Sequence, residues 1–507
     1  MTNHQNSMRQ GANGNTRRMH SMGIRTVGAV LALTALAACK TSDLNITNPN
    51  AVTVEGAAGD PAAVQLLATG LLSDHRSNAT GFPQMVGILG RESYTFTPTE
   101  GRNTTHYLIG ISVAGQQKLD PSGFVTGQWS GQYNTMRDVF NFKNTVAGNK
   151  TLTAAQKAAA TGFAQTIQGY AALQVIATRD TVGMITEIKE AATDLAPFVN
   201  RDSAYKFILA TLDAGYANLQ AGGAAFPFTL HAGFTGFSSP ATFAQYNRAL
   251  RARAGAYYAT SGGGATAWAG TLAALGSSFL NAGATTRAAL DAGVYQIFST
   301  SSGDATNGLT LATSTTLYAH QSFQADAQLK ADGTKDARYV LKFKEGLPSR
   351  TGPLTADGPT SGASTLGPNL YLTSTSAMGV IRNEELILLR AEARLATGDK
   401  AGAIADLNTV RVNSGGLPAS TLTAASADAN IVTGILYEKR YSLYLEGQRW
   451  VDARRYNQLS SLPLDVASGP NKNFVAKVVP VPQGECLVRA KATGALLGPN
   501  GQNNCAP

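Results

Sequence analysis

Residues 381–411 read IRNEELILLRAEARLATGDKAGAIADLNTVR, and this stretch decides how the chain folds. Apolar side chains recur at the three- and four-residue spacing of a helix face, first in one segment and then, after Gly398-Asp399, in a second. Glycine ends a helix in a left-handed conformation and aspartate caps the next helix, so the stretch predicts two helices joined by a short turn. The face residues are Ile381, Leu388, Ala391 and Leu395 in the first helix and Ala403, Ile404, Leu407 and Val410 in the second.

This unit resembles a tetratricopeptide-type hairpin, in which small alanines let two antiparallel helices cross closely. One hairpin cannot bury its apolar face alone, so further helices must stack on it. Helical patterning recurs in residues 127–146, 153–180, 203–219 and 241–260, and an earlier helix begins at Asp60-Pro61 with a cap and a first-turn proline. The sequence therefore predicts a mostly α protein.

Two segments lack this periodicity. Residues 78–127 are rich in Gly, Thr, Ser and aromatics, which indicates loops. Residues 261–379 are rich in Ser, Thr and Gly, with patchy alternation as in ARYVLKF, which predicts mixed loops, a few short strands and a few helices. We expect an irregular, loop-rich part to pack against the helical scaffold.

The N-terminus has the organisation of a bacterial lipoprotein signal. Residues 1–26 are basic without an acidic residue, and residues 27–38 are apolar but too few to span a bilayer. The following LAAC resembles a lipobox, so we predict removal of residues 1–38 and fatty acylation of Cys39, palmitate included, with residues 39–59 as an extended tether. The alternative is a cysteine buried in an ordinary hydrophobic helix. Several acyl chains on one residue would anchor the protein stably, and Lys40 favours delivery to the outer membrane.

The charge of the chain gives little support for nucleic-acid binding. Loss of residues 1–38, with four arginines, lowers the net charge from +9 to +5. The remaining sequence holds no Lys/Arg-rich run, so we expect no nucleic-acid partner.

Two cysteines remain near the C-terminus, Cys486 and Cys505. An exported protein meets oxidising conditions, so we predict that they form a disulfide. Two free thiols or a metal-binding pair are the alternatives.

Four landmarks then carry a family likeness: LNITNPN at 44–50, QWSGQYNTMRDVFN at 128–141, the hairpin at 381–411, and YEKRYSLYLEGQRWVDARRY at 437–456. Together with KVVPVPQGEC at 477–486, they resemble the SusD/RagB family of outer-membrane nutrient-binding lipoproteins. The chain departs from the family pattern at residues 180–183, which lack a proline, and at Ser442, where an acidic residue is common.

The resemblance implies a SusD-like fold with about four tetratricopeptide-like hairpins in a single domain, residues 60–507. The scaffold would lie mainly in 60–77, 128–260 and 380–460, the variable ligand and partner region in 78–127 and 261–379, and a tail in 461–507. It also implies a non-enzymatic protein on the outer face of the outer membrane. There it would bind an oligosaccharide or another nutrient, without a cofactor, and deliver it to a SusC-like TonB-dependent transporter.

Two acidic clusters invite a catalytic interpretation. Glu446 and Asp452 lie six residues apart around Gly447, off a common helix face, and we expect them to form ion pairs and caps with Arg449 while Trp450 fills the core. Glu385 and Glu392 share a face, but their axial separation of about 10.5 Å exceeds the carboxylate spacing of about 6.5–9.5 Å in inverting glycosidases. We expect both to pair with Arg382, Arg390 or the next hairpin.

The histidines show no metal-ligand spacing, and no nucleophile or phosphate-binding motif is present, so we predict no metal site and no catalytic residue. A sugar site needs aromatic platforms beside hydrogen-bonding side chains. Tyr94 and Tyr107 in the loop segment, and Trp268, are the predicted ligand-binding residues. Trp129 and Tyr133 follow the family helix motif and should be packed inside.

Three functional hypotheses follow. The first is a surface lipoprotein that binds a nutrient for import. The second is a helical-repeat lipoprotein of envelope assembly, which the long irregular segment disfavours because a pure repeat scaffold has no need of it. The third, less favoured, is an exported glycoside hydrolase.

Overall fold

The structure is a computed structural model that describes residues 60–77, 79–191, 194–311 and 316–493. The predicted signal, Cys39, the tether and Cys505 lie outside the described residues. The described helices are α1 (Pro61–Ser77), α2 (Gly81–Leu89), α3 (Arg102–Leu108), α4 (Thr126–Gly148), α5 (Ala154–Arg179), α6 (Arg201–Gln220), α7 (Pro240–Tyr258), α8 (Gly264–Gly276), α9 (Arg287–Asp291), α10 (Ser322–Ala325), α11 (Ala337–Lys342), α12 (Asn383–Ala396), α13 (Lys400–Asn413), α14 (Asp428–Ser442), α15 (Arg449–Arg455) and α16 (Gln483–Thr493).

The strands are short and pair two by two, all antiparallel. They are β1 (Ser93–Thr95), β2 (Ile111–Val113), β3 (Gln116–Lys118), β4 (Met184–Ile185), β5 (Phe198–Val199), β6 (Gly293–Gln296), β7 (Leu317–Ala319), β8 (Phe343–Lys344), β9 (Leu354–Thr355), β10 (Gly358–Pro359), β11 (Gly367–Pro368) and β12 (Met378–Arg382). Helices thus dominate, and the predicted mostly α architecture with a few short strands is confirmed.

The hairpin predicted at 381–411 is present as α12 and α13. Gly398 lies in the left-handed region at φ 92°, and the Asp399 carboxylate accepts a hydrogen bond from the Gly402 N–H at 2.8 Å, which caps α13. The expectation that Ile381 belongs to the first helix was wrong. Its backbone instead pairs with Val294 of β6, so α12 begins two residues later, at Asn383.

The N-terminal half of the scaffold is a stack of long helices from α4 to α8. Thr153 forms a reciprocal capping box with Gln156 at the start of α5. Along the contact of α5 with α6, a Cβ atom at Gly169 would lie 2.6 Å from the side chain of Leu212. The absence of a side chain at Gly169 therefore lets the two helices approach closely.

The loop-rich segments contain more helix than the sequence pattern indicated. Residues 78–127 hold α2 and α3. Residues 261–379 contain α8, and ARYVLKF forms helix α11, where the Asp336 carboxylate accepts the Arg338 N–H, followed by the short strand β8. Local capping overrides the apparent alternation in ARYVLKF because it satisfies backbone groups at the helix start.

Strand pairing and the tail join distant parts of the chain. Strand β1 pairs with β7, with Tyr94 opposite Tyr318, which ties the two loop-rich segments together. Trp450 is fully buried, as predicted, and its indole N–H donates to the Ala476 carbonyl at 2.8 Å. Farther along the tail, the Val479 N–H donates to the Thr178 carbonyl at the end of α5.

Cys486 is buried on α16 and takes part in a disulfide. Because Cys505 lies outside the described residues, the pairing of these two cysteines stays a prediction. No helix within the described ranges combines the length and the hydrophobicity that crossing a membrane requires.

Candidate functional site

The three aromatic residues predicted to bind ligand are all buried. Tyr94 is 2% exposed, Tyr107 5% and Trp268 7%. Tyr94 stacks on Phe96 with ring centroids 4.7 Å apart, and its hydroxyl donates to the Asp465 carboxylate. These side chains therefore offer little surface to a sugar ring in this conformation, and their role in ligand binding stays a prediction. Tyr107 lines a cavity of the loop-rich part.

That cavity, which we name the amide cleft, has a volume of about 170 Å³. Its wall includes the amides of Gln84, Asn103 and Gln128 and the rings of Tyr107 and Phe124. The Gln128 side-chain oxygen is buried and has no hydrogen-bond partner among the described residues. An unsatisfied buried acceptor is costly, so this oxygen is a ready partner for a ligand hydroxyl.

A second cavity, the threonine cleft, has a volume of about 240 Å³. It is lined by Phe96, Thr97, Thr104, Arg350 and Thr351, with neighbouring proline and glycine residues. Thr97 thus lies in this cleft, and its hydroxyl accepts a hydrogen bond from the Asn103 amide of the first cleft at 3.3 Å. The two clefts are therefore neighbours on either side of residues 97–104.

Strand pairing and helix turns position the cleft residues. The Phe96 N–H continues the β1–β7 ladder by donating to the Thr316 carbonyl at 2.8 Å. Asn103 lies in the first turn of α3, where its amide also donates to the Glu100 carbonyl at 3.3 Å. Gln84 on α2 donates to the Thr95 hydroxyl at 2.9 Å. Helix α2, helix α3 and the β1–β7 ladder thus position Gln84, Asn103 and Phe96, which come from three separate stretches of sequence.

The lining of the amide cleft carries no charged side chain and suits polar, uncharged ligands. The guanidinium carbon of Arg102 lies 5.2 Å from the centroid of the Phe124 ring. Burial raises the pKa of Tyr107 well above its ordinary value, so its hydroxyl keeps its proton and can only donate or accept hydrogen bonds. Amides, hydroxyls and a ring face can bind a polyol, but they provide no activated nucleophile.

The acidic clusters weighed as catalytic are ion-paired. Glu446 is ion-paired as expected, but with Arg382, and Asp452 pairs with Lys439 at 2.8 Å. The expectation that Arg449 takes part in these ion pairs was wrong, because its Nε and Nη1 atoms have no hydrogen-bond partner among the described residues. The expected partners of the other two glutamates were wrong in part. Glu385 forms a two-pronged pair with Arg253 of α7, both N–O distances being 2.6 Å, whereas Glu392 contacts Lys439 at 2.8 Å and also Arg455.

Helix α4 contains Trp129 and Tyr133, the two aromatic residues expected to pack inside. Trp129 is buried as predicted, whereas Tyr133 is only partly buried. The Tyr133 ring packs against Trp129, and its hydroxyl accepts the Ile185 N–H at 2.8 Å. Within the described ranges, no three His, Cys, Asp or Glu side chains come together as a metal ion would require.

Sequence reasoning missed several cleft residues, namely Gln84, Phe124, Gln128, Arg350 and Thr351. One signal was available, because Gln84 is the single polar side chain in the apolar run from Phe82 to Leu89. A polar group inside a buried helix needs a partner or a ligand. The others could not be found because residues of 78–127 and 350–353 meet only in the folded chain.

Stacked helical hairpins with clefts built from long, loop-rich insertions define the class of this protein. The sequence model of the SusD family matches residues 348–493. This match and the SusD-like fold of the described body support membership of the SusD/RagB family, which the sequence motifs predicted.

Solved structures share this fold at low sequence identity. Surface glycan-binding protein A from Bacteroides fluxus has a TM-score of 0.61 and 14% identity, over 83% of this chain and 96% of that one. A SusD-like carbohydrate binding protein from Bacteroides fragilis has a TM-score of 0.59 and 14% identity, over 87% and 99%. A second SusD-like protein from Bacteroides fragilis has a TM-score of 0.60 and 15% identity, over 84% and 95%. No curated protein matches the chain in sequence.

Proposed function

We propose that this protein is a surface-exposed outer-membrane lipoprotein that binds an oligosaccharide and delivers it to a TonB-dependent transporter. The observation that carries the binding role is the pair of adjacent clefts, lined by amides, threonines and aromatic rings, in the loop-rich part of a SusD-like body. Such loops on a rigid scaffold are where binding sites concentrate.

The chemistry of the amide cleft fits a carbohydrate. Each sugar hydroxyl can donate and accept a hydrogen bond, and the amides of Asn103 and Gln128 offer both functions. The Phe124 ring is only partly buried and offers an apolar face to sugar C–H groups. Structures of the same fold include proteins described as glycan-binding and carbohydrate-binding, which supports the same ligand class here.

The anchor and the partner rest on the sequence motif and the family. Acylation of Cys39 would hold the body at the membrane, and the family relationship makes a TonB-dependent barrel the expected partner. A non-enzymatic role agrees with acidic side chains that are held in ion pairs with arginine or lysine rather than in the clefts.

Binding can be tested with soluble protein that starts after Cys39. A glycan array identifies a ligand, and calorimetry then measures its affinity for wild type and for the double variant Asn103→Ala/Gln128→Ala. Loss of two hydrogen bonds of about 0.5–1.5 kcal/mol each should weaken binding about tenfold. The matched control Asn430→Ala removes an exposed amide outside the clefts and should leave the affinity unchanged.

Two outcomes would contradict the binding proposal. Unchanged affinity of the double variant would exclude the amide cleft as the binding site. If no glycan on the array binds, oligosaccharides are excluded as the ligand class. For delivery, affinity purification of the native protein from gently solubilised membranes should recover a TonB-dependent barrel. Recovery of the protein alone, or mass spectrometry that finds an unmodified Cys39, would refute the partner or the anchor.

A further inference from the structure

A third cavity, of about 420 Å³, lies apart from the two clefts, between α14, α15 and residues 458–463. We name it the two-arginine cavity because Arg440 and Arg449 both line it. Thr433 and Ser461 of its wall are exposed, so the cavity reaches solvent. None of its lining residues belongs to the amide cleft or the threonine cleft.

Arg449 has unsatisfied hydrogen-bond donors. Its Nε and Nη1 atoms are buried and have no hydrogen-bond partner among the described residues. Its guanidinium carbon lies 5.4 Å from the centroid of the Phe323 ring, and that of Arg440 lies 4.6 Å from the same ring. Arg440 differs from Arg449 because it pairs with the Asp326 carboxylate at 2.7 Å.

The neighbouring acids do not neutralise Arg449. Asp452 pairs with Lys439 at 2.8 Å and is therefore already engaged. Burial raises the pKa of Glu92, another nearby acid, above its ordinary value, which favours its uncharged form. Burial and then the charge of Arg440 lower the pKa of Arg449 only to about 9, so it stays cationic. Arg449 therefore forms no ion pair with any residue that the structure describes.

The rest of the wall has the chemistry of a sugar site. Ser322, Gln458 and Ser461 provide hydroxyl and amide groups, the Tyr437 ring offers an aromatic face, and Leu462 is apolar. A buried guanidinium without a partner is costly, and a carboxylate satisfies it best through two parallel hydrogen bonds.

We propose that the two-arginine cavity binds the carboxylate of an acidic sugar, with Arg449 as the counter-ion. The inference rests on the proposed carbohydrate-binding function and narrows it to glycans that carry a uronic-acid type group. It adds a second site, separate from the amide and threonine clefts.

The test compares D-glucuronate with D-glucose, which differ only in the carboxylate, by calorimetry on the soluble protein. We expect wild type to bind glucuronate at least tenfold more tightly than glucose, and Arg449→Met to lose that preference. Lys477→Gln removes the same charge from an exposed position outside the cavity and should keep it. Acetate, which has the carboxylate without the sugar, should bind more weakly than glucuronate.

A stability measurement separates ligand binding from a purely structural role. Arg449→Met removes an unpaired buried charge and keeps an apolar side chain, so its urea midpoint should equal or exceed that of wild type. A clearly lower midpoint would identify Arg449 as a structural residue and overturn the inference. Equal binding of glucuronate and glucose, an unchanged preference in Arg449→Met, or acetate binding as tight as glucuronate binding would also overturn it.

The double variant of the amide cleft distinguishes a failure of this inference from a failure of the proposed function. Asn103→Ala/Gln128→Ala should bind the array-selected glycan about tenfold more weakly and keep the Arg449-dependent binding of glucuronate. If the amide cleft binds its glycan while glucuronate does not bind, only the inference about the cavity is wrong.

Discussion

The buried pair Arg253–Glu385 joins α7 to α12 and permits a quantitative test of what holds the two halves of the scaffold together. Both side chains are at least nine-tenths buried, and the pair is two-pronged with N–O distances of 2.6 Å. Arg253 also donates to the Val380 carbonyl at 2.7 Å. The perturbation is Glu385→Leu, alone and combined with Arg253→Met.

The expected energies differ sharply between the single and the double change. Glu385→Leu leaves the Arg253 guanidinium buried without its counter-charge, which should lower the free energy of unfolding by about 3–5 kcal/mol. Replacing both partners by apolar side chains is often neutral or stabilising by about 1–4 kcal/mol. The lost bond to the Val380 carbonyl offsets this by about 1–3 kcal/mol, so the double variant should lie within about 2 kcal/mol of wild type.

Urea unfolding of the soluble protein, followed by the helical circular dichroism signal, measures these differences. If the slope is about 3 kcal/mol per molar urea, the single variant should unfold at a urea concentration about 1 M lower than wild type. Lys206→Gln disrupts an exposed pair with Asp202 and should leave the midpoint unchanged within error. A double variant as unstable as Glu385→Leu would refute the reasoning, because packing rather than an uncompensated charge would then explain the loss.

Three further predictions concern pH and backbone conformation. Burial and a neighbouring aspartate raise the pKa of Asp74 to about 7, so the folded chain holds the extra proton and the contribution of Asp74 to the free energy of unfolding falls as pH rises from 5 to 8; the urea midpoint of Asp74→Asn should therefore rise relative to that of wild type over this range, and a constant difference would contradict the prediction. Burial lowers the pKa of His75 to about 3, so the unfolded chain binds the extra proton and the contribution of His75 to the free energy of unfolding falls as pH drops below 6.5; the urea midpoint of His75→Gln should therefore rise relative to that of wild type as pH drops, and a constant difference would exclude His75 as a source of acid sensitivity. Gly110 and Gly115 both have positive φ, but only at Gly110 would a Cβ atom lie 2.2 Å from the Lys118 carbonyl oxygen. Gly115→Ala should therefore cost about 1–2 kcal/mol and Gly110→Ala clearly more, and equal losses in thermal unfolding would show that the contact does not matter.

The sequence predicted the parts of the fold that depend on local patterns. The hairpin of α12 and α13 was recognisable because apolar spacing, the Gly398 stop and the Asp399 cap agree within one stretch. Helix α2 was hidden because Gly81, Pro83 and Gly87 resemble loop residues, whereas its stability comes from burial against other elements. The Arg253 partner of Glu385 lies 132 residues away and has no local signal.

The site was less predictable than the fold. Aromatic residues within polar segments were expected to face ligand, but Tyr94 fills the core beside Phe96 and donates to Asp465, a residue 371 positions later. The clefts instead use amides such as Gln84 and Asn103, whose side chains are too common in sequences to stand out. Which of them meet is decided by the pairing of β1 with β7 and by the packing of α2 on α3.

The contact of the tail with α5 can form only near the end of protein synthesis. The Ala476 carbonyl holds the Trp450 indole, and Val479 donates to Thr178, a residue that leaves the ribosome about 300 positions earlier. The helices that are synthesised first, α5 among them, therefore lack their contacts with the tail until translation is nearly complete. A string of independent repeats can lose its terminal module and keep the rest, whereas a premature stop codon upstream of Ala476 should compromise the whole body of this protein.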